Sequence, residues 1–295
     1  MGQDYVIFAD VSADVDEAFA KENQVQFIPM SYTLGEENRH CAGMEREDVL
    51  VRFYNSQREG DLTQTSQINP VNYKENWEPY LKEGKSILYL ALSSGLSGTF
   101  QSASLAAGDL LEEYEGVEII PVDSLCATGG MGLLIEAAVA NRDKGMSVSE
   151  NAQWLNENRH RVNHWFLVED LMYLKRGGRI SAATALVGTT LNIKPILKID
   201  AEGKLINFDK KRGTKGAIKA LSDLYAKSHT ADSEYELENN IYIVHADAPQ
   251  SADLLEKMVK ETNPDASVTK MMLSPIIGAH TGPGMAAVIH WGQKR

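Results

Sequence analysis

The sequence predicts an α/β fold in two domains. Residues 1–161 form a parallel sheet with helices on both faces, and residues 162–295 an α+β domain with a mainly antiparallel sheet. Three observations carry this. Short apolar runs alternate with helix-length stretches through the first half, as strands joined by crossover helices do. The rhythm then changes near His164, where short strands follow each other closely. Finally, residues 194–199 and 205–210 flank Ala201-Glu202-Gly203, which reads as a hairpin and implies antiparallel pairing.

The elements follow in order. Residues 5–9 are a first buried strand, with a helix starting from Asp14. Residues 25–34 are rich in strand formers, and Pro29 marks an edge or irregularity. Residues 46–54 look helical, the polar stretch 61–67 reads as a loop, and helix signals resume over 73–82. The run 86–92 is a buried strand leading into a helix over 100–107. A strand over 117–122 precedes an apolar helix over 129–140, and Ser147 with Glu150 forms a capping box. In the second half, strands are predicted over 165–168, 241–245, 268–273 and 285–291. Helices are predicted over 214–225 and 252–260, with a short one at 171–174. The glycine-rich segment around His280 reads as a loop closing two strands.

Composition excludes several functions. The 295 residues carry a formal charge of −12, which opposes general nucleic-acid binding. No apolar run approaches the ~20 residues of a membrane helix. Residues 1–4 show no signal-peptide character, and Cys41 and Cys126 fit a reducing compartment. A cytoplasmic protein is expected. The histidines show no zinc-ligand spacing, so no metal is expected. No phosphate-binding loop and no G-x-G-x-x-G after the first strand is present, so no nucleotide cofactor is expected.

Candidate chemistry centres on Ser93-Ser94-Gly95-Leu96-Ser97-Gly98-Thr99, a strand-to-helix turn. A helix start offers unpaired N–H groups and partial positive charge, and glycines and hydroxyls suit a carboxylate or phosphate. Helix capping alone would need one serine. In parallel sheets ligands bind at the carboxyl ends of strands, where this turn and the loops after Ala9 and Val122 gather. Gly95-Leu96-Ser97-Gly98-Thr99 also comes one residue short of a hydrolase elbow, so a serine hydrolase using Ser97 with His245 or His280 is the rival. A ligand-free structural or regulatory protein is a third reading. Arg176-Gly177-Gly178-Arg179 is either a helix stop or a place where an arginine anchors a carboxylate or clamps the domains. The basic island from Lys210 to Gly216, with Arg212 and Lys215, stands out in an acidic chain and is either a solvated face or a steering patch.

Thr65-Ser66-Gln67, Ser93 to Ala103, Leu174 to Ser181, Lys194-Pro195-Ile196-Leu197 and Gly278-x-His280-x-Gly282-Pro283-Gly284 form a further set of motifs. Taken jointly, in order and spacing, they resemble the DegV family. The resemblance implies two α/β domains holding a long-chain fatty acid between them. It implies no catalysis by this chain, which would present the carboxylate to a separate ATP-using kinase subunit for acyl-phosphate formation. It places the carboxylate ligands at Thr65 and Ser94, with Ser66, Arg179 and His280 nearby. Docking of the kinase is expected at Arg212 and Lys215. The chain departs from the family pattern at Val11 and Ile68. The chemistry is coherent, because an acyl tail of about fifteen methylenes at ~0.8 kcal/mol each supplies roughly 12 kcal/mol gross. Association takes back ~4 kcal/mol or more. The tail supplies affinity and the head group orientation.

Overall fold

A computed structural model describes residues 5–181, 192–229 and 236–295, so the reading of residues 1–4 falls outside it. In chain order, the first part holds β1 (Tyr5–Asp10), α1 (Glu17–Glu22), β2 (Gln26–Ile28), β3 (Met30–Leu34), β4 (Glu37–Cys41) and α2 (Glu47–Glu59). Then come β5 (Thr63–Ser66), α3 (Pro70–Lys82), β6 (Ser86–Ala91), α4 (Thr99–Glu113), β7 (Ile119–Asp123), α5 (Gly129–Asp143) and α6 (Val148–Asn158). The remainder comprises β8 (Val162–Leu167), α7 (Met172–Arg176), β9 (Ile193–Ile199), β10 (Leu205–Arg212) and α8 (Thr214–Ser228). It ends with β11 (Asn240–His245), α9 (Pro249–Thr262), β12 (Ser267–Met272), α10 (Pro275–Thr281) and β13 (Ala286–Trp291).

The first sheet is wholly parallel, in the order β2-β1-β6-β7. Alternation along its strands sends side chains to two layers. Phe8 and Tyr89 meet Tyr80, Tyr73 and Trp77 of α3, whereas Tyr5, of opposite parity to Phe8, accepts a hydrogen bond from Asn151 of α6. Helices therefore cover both faces. The capping box of α6 forms as predicted, with Ser147 and Glu150 bonding each other's backbone N–H groups.

The second sheet runs β10-β9-β8-β13-β11-β12 and is antiparallel except between β11 and β12. On one face Trp165, Leu167, Ile243 and Val288 pack under α8 and α9 in their own core. On the other, Phe166, Leu197, Tyr242 and Ile289 join the core of the first sheet. Helix α5 lies between, and its glycines make room. A Cβ at Gly129 would sit 2.6 Å from the Tyr242 Cβ, and one at Gly130 2.1 Å from His164 Nε2.

Four readings are corrected. Residues 25–34 are two strands divided at Pro29, β2 in the first sheet and β3 in a small antiparallel sheet, β4-β3-β5. The stretch read as a loop contains β5, whose Thr63 and Thr65 alternate onto one face while Gln64 and Ser66 face the other way. The segment around His280 is the helix α10, entered through Pro275 in its first turn and ended by Gly282 at φ 71°. Finally, β12 and β13 do not pair with each other, since β11 lies between them. Cys41 and Cys126 are free and buried. Among the described residues, no helix is long and apolar enough to cross a membrane.

Candidate functional site

A cavity lies between the two large sheets. Its floor is the inner face of β8, β9 and β13, through Phe166, Ile199, Ala287 and Ile289. Leu92, Leu96 and Ser97, at the carboxyl end of β6, and Ala127 and Thr128, just before α5, form the opposite wall. Helix α10 runs along the side and contributes Ile276, Ile277, His280 and Thr281. The lining is mostly apolar, and Thr65, Gln67, Ser97, Arg179 and His280 supply a cluster of polar groups.

That cluster is assembled by contacts distant in sequence. His280 Nε2 lies 2.7 Å from Thr65 Oγ1. The hydroxyl of Thr63 donates to the Ala279 carbonyl at 3.0 Å, and Gln57 Nε2 to that of Gly278 at 3.1 Å, so β5 and α2 fix α10. The His280 ring rests on the Arg176-Gly177-Gly178-Arg179 turn, where a Cβ at Gly177 would stand 2.3 Å from Nδ1. Beyond that turn, Arg179 donates through Nε to the Leu96 carbonyl at 3.0 Å and through Nη1 to that of Gly177. The turn ends α7 at Gly177, and Arg179 lines the cavity and ties two motifs together. Burial, and then the Arg179 charge, push the His280 imidazole down to about 4. It is neutral at physiological pH. Burial also lowers Arg179 from its ordinary value.

The turn Ser93 to Gly98 works differently from its sequence reading. Ser93 is buried, and its hydroxyl donates to the Gly203 carbonyl of the β9–β10 hairpin at 2.8 Å. Gly95 is required by the same hairpin, since a Cβ there would stand 2.7 Å from the Gly203 carbonyl carbon and oxygen. The glycine freedom read as ligand access thus serves hairpin docking. The amides of Leu96 and Ser97 both return to the Ser93 carbonyl, at 2.9 and 3.1 Å. This tight winding turns Leu96 and Ser97 into the cavity and leaves Ser94 exposed, outside the lining, with its amide on Asp123 Oδ1 at 3.0 Å. Below the turn, Asp10 is fully buried and accepts from Leu92 N at 2.8 Å and Tyr89 Oη at 3.0 Å. Burial raises its pKa. The acids ending β1 and β7 therefore brace the turn.

The structure brings together Thr65, Arg179 and His280 and adds two groups to them. Ser97 appeared in the sequence among the hydroxyls of the Ser93–Thr99 turn and as the rival nucleophile, and Gln67 sat unremarked inside the Thr65-Ser66-Gln67 motif. A Cβ at Gly98 would lie 2.3 Å from Gln67 Oε1, so Gly98 admits that side chain. Ser94 and Ser66 are exposed and stand outside the lining, Ser66 because strand alternation turns it from Thr65. The hydrolase pairing is not formed. Ser97 Oγ is 2.7 Å from Thr99 Oγ1 and accepts from Thr99 N at 3.2 Å, while His245 Nδ1 accepts from Ala248 N at 3.2 Å. Arg212 and Lys215 are exposed, at the end of β10 and the start of α8.

Comparison with known proteins gives one answer throughout. The family model for DegV proteins matches residues 4–291. A DegV domain-containing protein of Clostridium perfringens is 36% identical over 291 residues, covering 99% of this chain and 98% of its own. The solved structure of a fatty-acid-binding DegV family protein from Thermus thermophilus is similar at TM-score 0.80 and 26% identity, covering 99% of this chain and 100% of its own. The fatty acid kinase B3 protein of Streptococcus pneumoniae, solved with linoleic acid, shares the fold at TM-score 0.83 and 20% identity, covering 98% of this chain and 100% of its own. With the family model spanning nearly its whole length, the chain belongs to the DegV family.

Proposed function

We propose that this protein binds a long-chain fatty acid, with the parts over residues 1–161 and 162–295 acting as two lobes around it. The observation that carries the reading is the cavity itself, mostly apolar, with the Thr65 and Ser97 hydroxyls, the His280 imidazole and the Arg179 guanidinium in its lining. The Thermus thermophilus relative, which binds fatty acids, supports it. The carboxylate is assigned to Thr65 and Ser97, with His280 and Arg179 around them. Ser97 takes the position that the family resemblance gave to Ser94, because the turn aims it inward. A neutral His280 can donate from Nε2 to Thr65 Oγ1, which frees the threonine hydroxyl to donate to the ligand. In this role the chain is a binding subunit without catalysis, working in the cytoplasm. A separate ATP-using kinase subunit converts the presented carboxylate to an acyl phosphate, docking at the basic surface of Arg212 and Lys215. Lys215 supports that assignment, because a cation in the first turn of α8 opposes the helix dipole and gains nothing there for folding.

Native mass spectrometry of the purified protein tests the reading. A co-purified fatty acid released on denaturation is expected. Protein that stays free of lipid after incubation with fatty acid, and hydrolyses esters until Ser97→Ala abolishes it, would establish the hydrolase instead.

A further inference from the structure

We propose that Thr128 and Asp14 form the partition that limits the length of the acyl chain, an inference that rests on the fatty-acid reading above. Beside the cavity lies a second space, a surface cleft lined by Val11, Ala13, Asp14, Val15, Phe27 and Ser274, among others. Thr128 lines the cavity, Asp14 lines the cleft, and the Thr128 hydroxyl donates directly to the Asp14 carboxylate. Ser274 reinforces the same wall, since its amide donates to the other Asp14 oxygen at 2.9 Å. A single hydrogen-bonded pair thus joins the linings of two spaces.

Along α10 the partition stands away from His280. Ser274 precedes α10 and His280 lies near its other end, so six residues of helical rise, about 9 Å, separate them. The lining between carries Ile276 and Ile277 and suits methylenes. The backbone of Thr128 gives a second, independent sign. It sits at φ 49° and ψ −132°, a region that glycine occupies readily and a β-branched residue does not. Gly129 and Gly130 follow directly, so the glycine-tolerant position is filled by the one residue of the three that can reach Asp14. The apolar side chains of the cleft would accept the end of a longer chain once the wall is gone.

The test opens the wall from each side with Thr128→Gly and, separately, Asp14→Ala, with Thr128→Ser as the conservative control. Each variant is checked for folding by thermal melting, and affinities are measured for a graded series of saturated fatty acids. In the opened variants the length at which affinity stops rising should increase, with about a fourfold gain for each methylene housed beyond the wild-type limit. Thr128→Ser should keep the wild-type limit. Folded Thr128→Gly and Asp14→Ala proteins with an unchanged limit would overturn the assignment. Wild-type protein that binds no acid of the series would overturn the fatty-acid reading and this inference with it.

Discussion

The hydroxyl of Thr65 and the imidazole of His280 meet at 2.7 Å across 215 residues of sequence. Each belongs to an element that the other helps to hold. β5 grips α10 through Thr63, and α10 places His280 where only a glycine at 177 leaves room. In the proposed function the pair gives a neutral donor chain towards a ligand oxygen.

Thr65→Val keeps the shape and removes the hydroxyl. A hydrogen bond to a charged acceptor contributes ~1.5–3 kcal/mol, so fatty-acid affinity should fall roughly ten- to hundredfold. Ser97→Ala should fall comparably, while Ser94→Ala, outside the lining, should bind as wild type. Displacement of a fluorescent fatty acid measures all three. Equal loss in Ser94→Ala would place the carboxylate on the wrong side of the turn.

Gly95→Ala probes the contact between the β6–α4 turn and the β9–β10 hairpin. Its new Cβ would meet backbone atoms of Gly203 and Glu202 at 2.7 and 2.8 Å, and backbone cannot rotate away. A loss of ~1–3 kcal/mol is expected, as for overpacking elsewhere. Gly108→Ala, in the middle of α4 with nothing within 4 Å, should instead stabilise by up to about 1 kcal/mol. Urea unfolding of the two variants gives opposite shifts if the docking is as described.

Stability should depend on pH through buried histidines. Burial lowers His164 and His290 from 6.5 to about 3 and His280 to about 4. As pH falls below 6.5 the unfolded chain gains protons that the folded protein refuses, so stability is full above 6.5 and declines towards pH 4. Asp14 acts in the opposite sense. Burial raises it from 3.8 to about 6, so the folded protein holds its proton longer, and this contribution falls as pH rises across that window. Asp14→Asn should therefore steepen the rise in stability between pH 4 and 6.5. Denaturant midpoints across that range measure both slopes, and a flatter profile in the variant would contradict the assignment.

Arg212→Glu combined with Lys215→Glu should slow association with the kinase subunit, and least at high salt, because exposed charges act mainly on encounter. Fatty-acid affinity should be unchanged, since neither residue lines the cavity. Surface plasmon resonance at two salt concentrations reads this directly. A wild-type association rate at low salt would remove the island from the docking surface.

Much of this was legible in the sequence. The run 86–92 followed by a glycine-serine turn announces a buried strand and a helix start, and β6 and α4 follow it. Other parts could not be read. β5 is four polar residues long, so its pairing with β3 leaves no apolar alternation to detect. α10 spans seven residues with Gly278 inside it, too short for a helical period, and it is held by Tyr54 and Gln57 of a distant helix. The choice between Ser94 and Ser97 depends on how tightly the turn winds, which hydroxyl spacing does not encode. The glycines at 95, 98, 129 and 130 were visible, but the partners they admit lie 31 or more residues away.

The placement of α5 has a consequence for traffic through the protein. Its glycines let Tyr242 and His164 of the second sheet sink against it, and one apolar core continues from Ile7 and Leu88 to Phe166 and Ile289. A jaw-like opening would expose that shared interior to water at ~25 cal/mol per Å². On the fatty-acid reading, a chain-like guest would therefore be threaded lengthwise past the rim, like cord through an eyelet, with the two halves still clasped.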